Sequence, residues 1–139
     1  MWVFGTCDTS HSPALGFMQV VAQRDQATLL PIVQNHVAPG SIIWSDQWAA
    51  YRNIALLPNV ASHSTVNHSV EFVAPSGTHT QNVESYWSRV KRKLRRMKGC
   101  ARDEVPGYLD EFMWRERHGQ SAMTAFNNIC RDIATQYPV

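Results

Sequence analysis

The segment His79-Thr80-Gln81-Asn82-Val83-Glu84-Ser85-Tyr86-Trp87-Ser88-Arg89-Val90-Lys91-Arg92-Lys93-Leu94-Arg95-Arg96-Met97-Lys98-Gly99 carries the strongest periodic signal in the chain. Val83, Tyr86, Trp87, Val90, Leu94 and Met97 recur at steps of three and four. That spacing predicts one apolar stripe on a long α-helix starting at about Thr80, with Gly99 as its stop. Of the 13 Lys and Arg residues, seven fall between Arg89 and Lys98: Arg89, Lys91, Arg92, Lys93, Arg95, Arg96 and Lys98. Glu84 is the single carboxylate between Phe72 and Arg102. Cations with so few acidic neighbours in sequence form the footprint of a polyanion-binding helix, although a solvated helix face has the same composition. At about 100° per residue, Glu84 and Lys91 return to nearly the same angle, about a quarter turn from the stripe. Arg95 and Lys98 extend that rim. One edge of the helix therefore runs from a carboxylate into cations, a spacing that chance also produces.

Working upstream, His63 to Val66 is a short strand candidate, followed by a Pro75-Ser76-Gly77 loop. Ser41-Ile42-Ile43-Trp44 reads as a buried parallel strand. It ends at Ser45-Asp46-Gln47, ahead of a short helix around Trp48 to Ile54. Asp25 caps a predicted helix running to about His36, with Ala27, Leu30, Val33 and Val37 inward and Pro31 in its early turns. Trp2 to Thr6 and Leu15 to Val21 form a predicted hairpin across a turn-rich loop. Downstream, Leu109, Phe112 and Met113 mark one helix, and Met123, Phe126, Ile129, Cys130 and Ile133 another. The order implies an α/β domain with a mixed sheet flanked by helices. Polar chemistry in such sheets gathers at the carboxyl ends of parallel strands, where Asp46 stands. An Asp in that position is also a common turn former.

Composition narrows the function classes. With 139 residues, 44% hydrophobic and 17% charged, the chain suits a single soluble domain. No apolar run approaches the roughly 20 residues of a membrane span. The opening Met1-Trp2-Val3-Phe4-Gly5 lacks the features of a secretory signal, so the expected compartment is the nucleus in a eukaryote or the cytoplasm in a bacterium. Cys7, Cys100 and Cys130 lack the spacing of a disulfide framework or zinc site and read as packing residues. The six histidines are scattered, and none forms a paired metal motif.

Trp2-Val3-Phe4-Gly5, Ala27 to Val33, Val37-Ala38-Pro39-Gly40-Ser41 and Ser45-Asp46-Gln47-Trp48-Ala49-Ala50-Tyr51 together resemble a known family. So do Val66-Asn67-His68-Ser69 to Phe72-Val73, His79 to Trp87 with Lys91, and Leu109-Asp110-Glu111-Phe112-Met113-Trp114-Arg115. The family is the DDE transposase domain of Merlin-type DNA transposases and their ISXO-like insertion-sequence relatives. The resemblance covers residues 1–117, leaving 118–139 as a C-terminal helical extension.

It implies a ribonuclease-H-like fold in which two Asp and one Glu bind two Mg²⁺ or Mn²⁺ ions for DNA strand cleavage and transfer. Asp46 matches the second Asp of the family and Glu84 its Glu, with Asn82 a weaker additional candidate. Lys91, Arg92, Lys93, Arg95, Arg96 and Lys98 are the implied DNA contacts. The implied partner is DNA, with a homo-oligomer as a further possibility and no membrane. The family places its first Asp on a central strand ahead of Trp2-Val3-Phe4-Gly5, which this chain lacks. Asp8, at the hairpin end, is a poor substitute, so the expectation is a catalytic-domain fragment inactive as it stands. A non-catalytic DNA-binding remnant using residues 89–98, and an unrelated α/β domain with a basic face, are the alternatives.

Overall fold

A computed structural model describes residues 1–67, 69–70, 74 and 77–139. The strands are β1 (Trp2–Asp8), β2 (Leu15–Val21), β3 (Ser41–Asp46) and β4 (Val60–Val66). The helices are α1 (Gln26–His36), α2 (Gln81–Arg96), α3 (Val105–His118) and α4 (Ala122–Gln136). Single 3₁₀ turns at Ala49–Tyr51 and Ile54–Leu56 replace the short helix expected around Trp48. Pro75 and Ser76 of the expected loop lie outside the described residues, as do His68, Phe72 and Val73 of the resemblance; Gly77 takes φ +86°. The α/β class holds, but the described residues form two two-stranded sheets, β1 with β2 and β3 with β4, rather than one mixed sheet.

The chain divides into two compact units. The first contains residues 1–4 and 20–85. Its core is Phe4, Val21, Leu29, Val33 and Ala50, surrounded by Ile32, Val37, Ile43, Tyr51 and Leu57. The Asp25 carboxylate accepts from the Thr28 backbone N–H at 2.8 Å and starts α1 by satisfying one of the first-turn donors that have no helical partner. The inward line of α1 runs through Leu29 and Val33, whereas Ala27 is exposed and Leu30 half-buried. Leu29 and Val33, four apart, stack on one face, which corrects the expected phase. The Asn59 side chain donates to the carbonyls of Gln34 at 3.0 Å and Val37 at 2.6 Å, tying the end of α1 to the turn before β4.

β3 and β4 are parallel, with Trp44 opposite Ser64 and Asp46 opposite Val66. β3 is not buried on both faces as expected. Ser41, Ile43 and Ser45 face inward, while Ile42 is 68% and Trp44 46% exposed, the period-two alternation of a strand covered on one side.

The second unit contains residues 5–19 and 86–139. The predicted stripe of α2 is correct: Tyr86 and Val90 are buried, and Trp87, Leu94 and Met97 are half-buried. The Tyr86 ring lies directly on Gly16, and the Trp87 indole comes within 3.1 Å of where a Cβ on Gly5 would stand. Met18, Leu109 and Met113 complete this core, where the Met18 amide donates to the Met113 sulfur at 3.1 Å. α2 closes with the amide of Lys98 (φ +61°) bonded to Arg95 O and that of Gly99 (φ +89°) bonded to Leu94 O. This is a Schellman turn.

α4 is capped by Ser121, whose hydroxyl accepts from the Thr124 N–H at 3.1 Å. It is held to α3 by Trp114 Nε1 donating to Asp132 at 3.0 Å and Asn128 donating to His118 O at 2.6 Å. Of the apolar residues that mark it in the sequence, Met123, Phe126, Ile129 and Ile133 are all exposed. Cys130 is exposed with them, while Cys7 and Cys100 are half-buried as packing residues. Among the described residues, no helix is long and apolar enough to cross a membrane.

Candidate functional site

Asp46 is the last residue of β3, so the parallel pairing with β4 delivers its carboxylate at a carboxyl strand end. Oδ1 accepts from the Trp48 amide at 3.1 Å and folds the chain back immediately after the strand. Two further arrangements fix this turn. The Ser45 hydroxyl donates to the Asp46 carbonyl at 2.7 Å and lies 2.8 Å from His63 Nε2. With the hydroxyl proton committed, His63 is the donor in that pair. Arg24 is sandwiched between two indoles, 4.1 Å from the Trp2 ring centroid and 4.3 Å from that of Trp48, and its carbonyl accepts from Trp48 Nε1 at 3.1 Å. Such cation–π stacking stabilises by about 0.5–2 kcal/mol per contact, depending on desolvation. Sequence reading missed this clamp because its three members are far apart in the chain and follow no shared period.

Tyr51 stands close enough to feel Asp46. Burial pushes its phenol up to about 12, and the Asp46 carboxylate adds to the rise. The neutral phenol therefore contributes stability that is fully present below pH 10, the ordinary value, and is lost as pH rises through about 12. Tyr51→Phe, which cannot ionise, is expected to flatten the loss of stability across that window. Urea midpoints measured at several alkaline pH values check this; an unchanged pH slope would place Tyr51 outside the buried environment.

Glu84 and Asn82 are exposed near the start of α2. Thr80 Oγ1 donates to Glu84 Oε1 at 2.8 Å, which holds the carboxylate against the first turn. The segment leading into α2 reaches β3 through an edge-on ring pair, Trp44 with His79, at 5.4 Å between centroids. His79 Nδ1 is buried there with no hydrogen-bond partner among the described residues. Asp46 and Glu84 are exposed carboxylates with oxygen donors that fit a hard divalent cation. Among the described residues, no group of three or more His, Cys, Asp or Glu could hold a metal ion. Asp8 is spent locally, its carboxylate accepting from the Ser10 amide at 2.9 Å, which holds it below the usual range.

The basic run is less free of partners than its sequence implies. Arg89 pairs with Glu116 at 2.7 Å and Lys93 with Glu111 at 2.8 Å. Lys93 therefore has an acidic partner on α3 that its own stretch of sequence does not contain. The signal lay in the acidic residues of α3, downstream of the carboxylate-poor stretch between Phe72 and Arg102. Lys91, Arg92, Arg95, Arg96 and Lys98 are exposed and form no ion pair with any described residue.

A sequence profile of the ISXO2-like transposase domain matches residues 1–117. The chain belongs to this transposase-domain family. An uncharacterized transposase-like protein of Haemophilus influenzae (strain ATCC 51907 / DSM 11121 / KW20 / Rd) is 32% identical over 96 residues, covering 69% of this chain and 76% of that protein. No solved structure matches the chain. As a member of the ISXO2-like transposase family, it has a transposase-related function, and its family match takes in both Asp46 and Glu84 as well as the whole basic helix.

Proposed function

We propose that this chain forms part of the metal-dependent catalytic domain of a DDE transposase of the Merlin-type and ISXO-like group, with a ribonuclease-H-like arrangement that cuts and joins DNA. The observation that carries the reading is Asp46 at the carboxyl end of a parallel strand in a chain of a transposase family. Asp46 and Glu84 would hold Mg²⁺ or Mn²⁺, with Asn82 as a further ligand. Bound metal would supply the positive charge that activates the attacking oxygen and stabilises the leaving one.

The remaining tasks fall to the chain itself. The Trp48 amide, the Ser45 hydroxyl and the Arg24 clamp orient Asp46, while Thr80 orients Glu84. The exposed cations of α2 hold the DNA backbone. Asp46 and Glu84 by themselves would not complete a two-metal site, and on this reading the chain by itself is expected to bind DNA rather than to cut it efficiently.

Duplex binding tests the DNA part of this reading. Affinity should fall steeply with salt and depend little on sequence, because each neutralised phosphate releases condensed counterions. Lys91→Ala combined with Arg95→Ala is expected to reduce the slope of log affinity against log salt by about 0.9 for each phosphate that is no longer neutralised. Fluorescence anisotropy over a salt series gives the slope. No change in the double variant would return these cations to an ordinary solvated face.

A further inference from the structure

α2 sorts its cations onto two flanks. Lys91 and Arg95 lie on one, and Arg89, Arg92, Lys93 and Arg96, at steps of three and four, lie on the other, roughly 130° away around the helix axis. The second set joins Met97 and Phe112 to line an open groove of about 320 Å³ between α2 and α3.

The walls of this groove are preset. Glu116 fixes Arg89. Glu111 accepts from both Lys93, at 2.8 Å, and Arg115, at 2.6 Å, and these bonds hold its carboxyl below the usual range. Phe112 is seated edge-on against Tyr86 at 5.6 Å between centroids, so its ring position is set by the core. Arg92 and Arg96 are exposed, with no ion pair to any described residue. The result is an apolar floor of Met97 and Phe112 between fixed cations and two guanidinium groups that remain available.

We propose that this groove binds a single-stranded nucleic-acid segment, with phosphodiesters on Arg92 and Arg96 and an unpaired base against Met97 and Phe112. The inference rests on the DNA-handling reading above and adds a second, chemically different surface to it. Guanidinium groups match phosphate oxygens in a bidentate fork. An apolar and aromatic floor stabilises only a base whose face is exposed, and in a duplex both faces are stacked away. An acidic peptide would satisfy the cations but leave the floor unused.

The test measures affinity of the 139-residue chain for a single-stranded oligonucleotide and for a duplex of equal length. Arg92→Glu with Arg96→Glu is expected to weaken single-strand binding by about tenfold or more and duplex binding less. Lys91→Glu with Arg95→Glu is expected to show the opposite preference. Phe112→Leu should erode the single-strand preference; thermal melting confirms that each variant remains folded, and Met97→Lys repeats the floor test if Phe112→Leu does not. Unchanged single-strand affinity in the Arg92/Arg96 variant would overturn the groove assignment, as would equal displacement of the strand by poly-glutamate. Failure of the unaltered chain to bind either nucleic acid would instead overturn the DNA-handling reading itself.

Discussion

In a nicking assay supported by magnesium or manganese, the 139-residue chain is expected to leave DNA uncut, whereas a longer version supplying a third carboxylate is expected to cleave it. Asp46→Asn or Glu84→Gln should each lower that cleavage by about a hundredfold or more, since misplacing a reacting group by about an ångström already costs that much. The two-metal mechanism needs ions clamped on both sides of the scissile phosphate. Neutral amides in place of these carboxylates would keep the shape but remove the charge proposed to hold the ions. Robust cleavage by the 139-residue chain, abolished by Glu84→Gln, would show that two carboxylates suffice. Full activity of the longer protein bearing Glu84→Gln would move the ligand role to Asn82. Sequence-independent DNA binding without cleavage in the longer protein would favour a non-catalytic DNA-binding role.

The second large effect is expected at Gly16. A Cβ there would fall far inside van der Waals contact with the tip of the Tyr86 ring, a side chain with no exposed surface and no room to retreat. Overpacking of a filled core costs about 1–3 kcal/mol and sometimes more, and this overlap belongs at the upper end. Gly16→Ala should therefore remove a large part of the stability available to a domain of this size. Gly5→Ala offers the internal control: its Cβ would stand 3.1 Å from the Trp87 ring, and a half-buried indole can yield by a few tenths of an ångström. Combining Gly16→Ala with Tyr86→Leu should recover part of the loss, because neighbouring changes that share one volume are not additive. Denaturant midpoints of these variants and of Tyr86→Leu alone measure this. A neutral Gly16→Ala would mean that the ring does not sit on the strand.

What was legible in the sequence had a local physical cause. The stripe of α2 needs only helical period and apolar residues, and it placed Tyr86, Trp87 and Val90 correctly. Asp25 announced the start of α1 because a cap is a contact three residues long. Asp46 at the end of β3 followed from an apolar run meeting a turn. The failures depended on partners remote in the chain. Leu29 rather than Ala27 faces inward because Phe4 and Ala50 form the surface that α1 meets. Trp44 and Ile42 read as buried, since an apolar tetrapeptide does not reveal how many layers will cover it. Arg89 and Lys93 read as available, since Glu116 and Glu111 approach only when α3 folds back. At the site, both carboxylates were named from the resemblance, but the Arg24 clamp and the Ser45–His63 contact that position Asp46 were not.

The Arg24 clamp separates two electrostatic regimes within one chain. Its cation sits about 4 Å from each ring centroid, far inside the screening length of about 8 Å at physiological ionic strength. Dissolved ions screen only weakly at that range. The proposed attraction of α2 for a polyanion would be of the opposite kind, driven by counterions returned to solution and eroded as their concentration rises. On that proposal, rising ionic strength would release nucleic acid from the helix while the turn after Asp46 keeps its shape. Release of nucleic acid and preservation of the Asp46 turn would then be independent properties, set by different residues and answering to different solution conditions.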